Sequence, residues 1–261
     1  LDATAAGCAV NAAHYRRAII ETVIARLLPI TAVRACFEGG SAATGRLDDY
    51  SDIDLVIVAP LAAADEAFGA VEAALAPHGI SHIWRVDPPP FADTAQRFYF
   101  LADAPRFFAV DCVVVAEGAA DQLLERERHG QPLVYFDRTS KIRARPVDAE
   151  ALAARRARRW EQLRGSVPIY AMLVDKELAR GRPREALGFY QALLRALLEV
   201  LGIVHRPERF DFGWRYVETQ LPDDERKRLT RFAFVADPET LRERAPELAA
   251  ALLERLRGEA P

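Results

Sequence analysis

Asp52 and Asp54 flank Ile53 at the start of a nearly continuous apolar run that ends at Val58. On an extended strand, positions i and i+2 project to one face, so the two carboxylates stand side by side. Such a pair repels itself unless a divalent cation sits between, and magnesium favours hard oxygen ligands of this kind together with triphosphate oxygens. Upstream, Phe37-Glu38-Gly39-Gly40-Ser41 reads as a strand breaking into a turn of small residues. Backbone N–H groups can approach phosphate oxygens there, and the Ser41 hydroxyl adds a donor. Downstream, Asp111 is a lone acid inside the otherwise apolar stretch Phe108 to Val115. Burying an unpartnered carboxylate is costly, so a metal is a physical reason for an acid at that position. Taken singly, a Gly-Ser pair reads as an ordinary tight turn and Asp-x-Asp as a loop cap. Joined at this spacing and followed by a lone-acid strand, they point to phosphoryl chemistry.

Gly40-Ser41, about ten residues, then Asp52-Ile53-Asp54 before an apolar strand resembles the signature of the DNA polymerase β-type nucleotidyltransferase superfamily. Asp111 falls where that family carries its third carboxylate. The resemblance implies a metal-dependent enzyme of the EC 2.7.7 type that takes an NTP, ATP being the expected one, and transfers its nucleoside monophosphate to a hydroxyl. Two Mg2+ ions are then expected on Asp52, Asp54 and Asp111, and in-line attack releases pyrophosphate. Asp111 or an acid elsewhere would take the hydroxyl proton. Gly40, Ser41, Arg46 and Lys176 are the nucleotide-binding candidates that the resemblance supplies. Arg46 reads equally as a solvated loop charge and Lys176 as a surface lysine; Lys141, His205 and Arg206 are weaker candidates, since basic residues near helix ends commonly serve only the dipole or solvent.

The elements that must position these residues follow from periodicity. Ala12 to Leu28 is apolar at helical spacing and stops at Pro29. Val33 to Phe37 and Ile53 to Val58 read as buried strands around a polar loop. A helix is expected over Ala63 to Ala76 and a strand over Ser81 to Val86, followed by the Asp87-Pro88-Pro89-Pro90 turn. Arg97 to Leu101 and Arg106 to Val115 then read as an antiparallel hairpin. After Glu117 only Leu133 to Phe136 is strand-like. Helical patterns cover Asp148 to Leu163, Ile169 to Ala179, Arg184 to Leu201, Phe212 to Gln220, Asp223 to Phe234 and Pro238 to Arg257, with Asp148, Asp223 and Asp237 as N-caps. The expected fold is α+β: a nucleotidyltransferase-type mixed sheet flanked by helices over residues 1–118, a connecting segment at 119–146 and an all-α domain at 147–261. Family members that modify antibiotics resemble this layout, with the helical half binding the acceptor.

Composition narrows the partners. With 261 residues and 51% hydrophobic content the chain can fill one large core or two ordinary ones. A net charge of -3 gives no overall attraction to a polyanion, so nucleic acid is an unfavoured partner and polynucleotide tailing an unfavoured activity. Cys8, Cys36 and Cys112 lack metal-ligand spacing and are odd in number, which suits a reducing cytoplasm. Residues 1–11 lack a basic stretch followed by an apolar run, and no later segment is apolar without interruption over a membrane's thickness, so a soluble intracellular protein is expected. Transfer to a small hydroxyl compound, such as an aminoglycoside-like antibiotic, leads. The alternative is a toxin–antitoxin-type transferase that modifies or binds a partner protein. Glu177, Glu185 and Asp175 could attract a cationic acceptor, although acids on helix faces are usually solvated. The segment His205 to Tyr216 could line an acceptor pocket, but helix packing is the stronger reading.

Overall fold

The computed structural model describes residues 12–89 and 91–258, so Cys8, the chain start at residues 1–11 and Pro90 of the proline turn lie outside the described residues. The chain divides into two compact units, Leu1–Pro146 and Val147–Pro261.

The first unit is built on a six-stranded sheet in the order β3-β4-β5-β2-β1-β6. Its strands are β1 (Ala35–Glu38), β2 (Ile53–Val58), β3 (Ile80–Arg85), β4 (Thr94–Leu101), β5 (Ala109–Val115) and β6 (Leu133–Asp137). The β2–β5 pair is parallel and the other neighbours are antiparallel, which makes the sheet mixed. Parallel pairing needs a crossover, and here α3 (Ala64–Leu75), β3 and β4 fill it. Helix α1 (Ala12–Leu27) buries Tyr15, Ile19, Val23 and Leu27, one residue per turn, and α3 buries Ala67, Phe68, Val71, Ala74 and Leu75. Both stripes pack against Cys36, Ile53, Leu55, Ile57, Tyr99, Val110, Cys112 and Val114 on one sheet face. The opposite face carries a smaller cluster of Ala35, Phe37, Val56, Val58 and Val115, covered by Ala120 and Leu124. Residues 119–146, expected as a connector, pack within the first unit: β6 pairs with β1, because the edge of β1 leaves backbone groups that the extended Leu133 to Phe136 run can satisfy.

The first unit also holds two single-turn helices, α2 (Gly40–Ala43) and α4 (Arg126–His129), whereas the described residues of the second unit form helices: α5 (Ala149–Ala179), α6 (Pro183–His205), the short α7 (Val217–Gln220), α8 (Asp223–Ala233) and α9 (Pro238–Arg255). Leu163, Val167, Val174, Leu193, Leu197, Val200, Leu201, Leu248 and Leu252 belong to its core. The two helices expected at Asp148 to Leu163 and Ile169 to Ala179 are one helix of 31 residues that runs through Pro168. Burial of Leu163 and Val167 before the proline and Val174 and Leu178 after it keeps a single apolar stripe in register, which outweighs the lost hydrogen bond. Asp148 and Asp237 cap α5 and α9, accepting from Ala151 N–H at 2.9 Å and Thr240 N–H at 2.7 Å, whereas α8 takes Pro222 at its N-cap with Asp223 in the first turn. Helix α6 runs on past the expected end at Leu201 to His205, and a Cβ added at Gly202 within it would lie 2.7 Å from the Phe210 carbonyl oxygen. Of the helix expected over Phe212 to Gln220, only its last turn forms. Helix α6 is long and apolar enough by composition to cross a membrane, yet half of its most apolar window is buried, in the core of this unit.

Candidate active site

Strand alternation determines which acids meet. Asp54 and Asp111 are register partners on the parallel pair β2 and β5. Both point to the face that carries Val56, Val58 and Val115, away from α1 and α3. Neighbouring strands lie about 4.8 Å apart, so the two acids form a close couple despite their separation in sequence. Asp52 sits just before β2, where its Oδ1 accepts the Ala109 N–H at 3.1 Å and ties the entry of β2 to the start of β5. Burial raises the pKa of Asp52; the Ala109 N–H opposes that shift, the nearby Asp54 carboxylate adds to it and Arg16 opposes it. Gln96 of β4 donates its amide to Asp111 Oδ1 at 2.7 Å.

The Gly-Ser turn lies directly against this couple. Beyond β1 the chain bends into a single helical turn, α2 (Gly40–Ala43), and Gly39 N–H donates to the Asp54 carbonyl at 2.9 Å. Gly40 has φ +53, and a Cβ added there would lie 1.6 Å from Asp54 Oδ2. Only glycine admits both this backbone conformation and this approach. The Ser41 hydroxyl oxygen is buried and finds no hydrogen-bond partner among the described residues. A buried orphan hydroxyl costs about 1–3 kcal/mol, which makes an oxygen-rich ligand a reason for its placement. Arg46 is exposed in the loop after α2, its N–H on the Ser41 carbonyl at 2.9 Å.

The remaining candidates have local roles. Lys176 lies near the end of α5 in the second unit, 3.7 Å from buried Glu177. Arg180 and Arg182 also face Glu177, at 3.0 and 3.7 Å, so that acid is already neutralised by its neighbours. Lys141 pairs with Glu117 at 2.6 Å, and His205 stands 3.9 Å from Glu225. Arg206 is buried and donates to the Gly213 and Arg215 carbonyls, which, with Phe210 in the core, gives the His205 to Tyr216 segment a packing role.

Two groups escaped the sequence reading. Arg16 of α1 donates to the Asp52 carbonyl at 2.5 Å and pairs with Glu38, while Tyr135 of β6 donates to the other Glu38 oxygen at 2.5 Å. Glu38 is 1% exposed. The signal was present, because Glu38 is an acid at the end of an apolar strand, as Asp111 is an acid within one. Gln96 was equally visible as an amide in the middle of β4.

Among the described residues, no three His, Cys, Asp or Glu side chains form a ready-made metal cage. The Asp54–Asp111 couple nevertheless supplies the hard oxygen donors that a divalent cation prefers. The glycine turn that approaches Asp54 and the orphan Ser41 hydroxyl add a close backbone approach and an unpartnered polar group beside it. The residues therefore fit a cation with a phosphate ligand.

No protein-family model matches the chain, and no curated protein does. Among solved structures, it is similar to spectinomycin adenyltransferase AAD(9) from Enterococcus faecialis, solved with ATP and spectinomycin, at 12% identity and a TM-score of 0.35 over 95% of this chain and 100% of that one. It is also similar to JHP933 from Helicobacter pylori, at 12% identity and a TM-score of 0.30 over 95% of this chain and 94% of that one. A third is the STING-associated CdnE c-di-GMP synthase from Capnocytophaga granulosa, at 14% identity and a TM-score of 0.29 over 90% and 81% of the two chains.

Proposed function

We propose that this chain is a divalent-metal-dependent nucleotidyltransferase that moves a nucleoside monophosphate, AMP from ATP, to a hydroxyl of a small molecule such as an aminoglycoside-like antibiotic. The observation that carries this reading is the in-register Asp54–Asp111 couple beside the Gly40–Ser41 turn. In the reaction the acceptor oxygen bonds to the α-phosphorus, the bond to the α,β-bridging oxygen breaks, and pyrophosphate leaves with that electron pair. Asp52, Asp54 and Asp111 are the metal-binding and catalytic acids in this reading. Bound Mg2+, two ions in the full site, would neutralise the triphosphate and polarise the phosphorus centre.

The chain's own groups do the positioning. The Gly40–Ser41 turn would offer backbone N–H groups and the Ser41 hydroxyl to the departing phosphates, and Arg46 in the following loop would add a positive charge. The Ala109 N–H and the Gln96 amide fix Asp52 and Asp111. Asp111 lies on the far side of Asp54 from the turn, where a carboxylate can accept the acceptor's proton. The role of Lys176 on the triphosphate rests on the family resemblance alone. Buried Cys36 and Cys112, their thiols pushed up in pKa by desolvation, suit a cytoplasmic setting.

The test is pyrophosphate release from labelled ATP with magnesium and an aminoglycoside panel, run beside an RNA primer and any co-purifying protein. Asp54→Asn and Asp111→Asn are each expected to lower turnover by about a hundredfold or more, on the scale of losing one transition-state charge contact. Wild-type turnover in both variants would remove the site from consideration.

A further inference from the structure

The face of the sheet that bears the carboxylate couple does not end at Asp111. Phe98 of β4 is the register partner of Asp111, and Trp84 of β3 is the register partner of Phe98. Asp54, Asp111, Phe98 and Trp84 thus form one row across four adjacent strands. The two rings stack, with centroids 5.2 Å apart and planes 18° apart. The next pair along the strands repeats the arrangement, with His82 and Phe100 stacked at 6.0 Å and 25°. Alternate residues point the other way: Tyr99 is buried in the core beneath α1 and α3, and Arg97 lies over Phe68. Trp84 is 54% exposed and Phe100 47% exposed, so an aromatic surface lies open beside the acids. Large exposed aromatic patches of this kind mark binding surfaces.

The order along the row says which ligand this surface meets. The Gly40–Ser41 turn abuts Asp54 from the β1 side, whereas Phe98 and Trp84 lie beyond Asp111 on the opposite side. In-line displacement requires the entering oxygen and the departing pyrophosphate to be on opposite sides of the α-phosphorus. With the phosphates held at the turn, the entering hydroxyl arrives from the β5–β4–β3 side. Resting on the nucleotidyl-transfer reading of that site, we propose that Trp84, supported by Phe98, is the platform on which the acceptor binds, and that the acceptor is a hydroxyl compound with a flat ring face. A stacking face accepts either a sugar ring or an aromatic ring, while an open-chain alcohol gains little from it.

Trp84 is exposed, so Trp84→Ala leaves the core untouched, and Trp84→Tyr restores a ring. Binding of three probes, kanamycin for sugar rings, tyrosinamide for aromatic rings and 1,4-butanediol as the open-chain control, is measured by calorimetry on the full chain with magnesium and a non-hydrolysable ATP analogue present. At least one ring probe is expected to bind, to lose roughly ten- to hundredfold in affinity in Trp84→Ala, and to recover most of it in Trp84→Tyr, on the scale of one stacked ring. Affinity for the ATP analogue should be the same in all three proteins. Failure of both ring probes to bind, or equal binding to wild type and Trp84→Ala, overturns the platform. Failure of the analogue itself to bind refutes instead the nucleotidyl-transfer reading beneath it.

Discussion

Gly40→Ala is the sharpest single perturbation of the site. Two separable costs attach to it. The left-handed backbone at φ +53 costs a residue with a Cβ about 1–2 kcal/mol. The new Cβ would also lie 1.6 Å from Asp54 Oδ2 and 2.4 Å from its Cγ, so the carboxylate must swing away. Forcing that side chain off its rotamer adds about 0.5–1.5 kcal/mol, for a total of about 1.5–3.5 kcal/mol of lost stability. The functional cost is larger. Even the tightest tolerated separation requires the carboxylate oxygen to retreat by more than about 1 Å, and a displacement of that size costs on the order of a hundredfold in rate. Gly45→Ala is the matched control: φ there is +67, yet no atom lies within 4 Å of the added Cβ. Urea denaturation should show both variants destabilised, Gly40→Ala the more so. Pyrophosphate release should fall about a hundredfold in Gly40→Ala only, mainly in kcat. Equal loss of turnover in the two variants would show that the approach to Asp54 has no bearing on catalysis.

Further outcomes follow from the surroundings of the site. The Arg16–Glu38 pair is buried, with side chains 11% and 1% exposed, so Arg16→Met should cost about 3–5 kcal/mol by leaving Glu38 charged and unpaired. The double variant Arg16→Met/Glu38→Leu should recover part of that loss in urea midpoints, and a double variant as unstable as the sum of the singles would refute the pairing argument. Asp137 is raised in pKa by desolvation but, on balance, lowered by the Thr139 hydroxyl and by the Thr139, Ser140 and Ile142 N–H groups. A depressed folded-state value stabilises the fold above the ordinary carboxylate value of about 3.9 and loses that contribution as pH falls through the lower folded value. Asp137→Asn should therefore destabilise the protein at neutral pH, with the gap from wild type closing in acid. A gap that widened in acid would contradict that linkage.

Strand β2 was legible residue for residue because a nearly continuous apolar run bounded by a polar loop is buried most simply as a central strand. Helix α1 was legible for the same reason, its stripe ending at a proline. Pro168 misled, since a local rule that proline stops helices yields to a tertiary stripe that continues past it. The edge strand β6 read as a stray extended piece because nothing local says that the open side of β1 needs a partner. Within the site, Asp54 was visible as half of the Asp-x-Asp pair and Asp111 as a lone acid in an apolar strand. That they are register partners was not, because register depends on a pairing between distant segments. Glu38 carried the same signal but was read as part of the turn, and Arg16 looked like any other charge on an amphipathic helix.

The parallel pairing of β2 with β5 also bears on how the molecule comes into being. Every antiparallel neighbour of the sheet except β1–β6 can zip from a comparatively local contact, but this pair must wait until α3 and the β3–β4 excursion have folded back. Long closures of this type are slow steps, paid in chain entropy before any contact repays them. A nascent polypeptide that has emerged only through Val58 already displays its Asp-x-Asp face yet owns no Asp111 to complete it. On the proposed nucleotidyl-transfer reading, the carboxylate couple would be complete only after translation has passed β5 and the strand has docked.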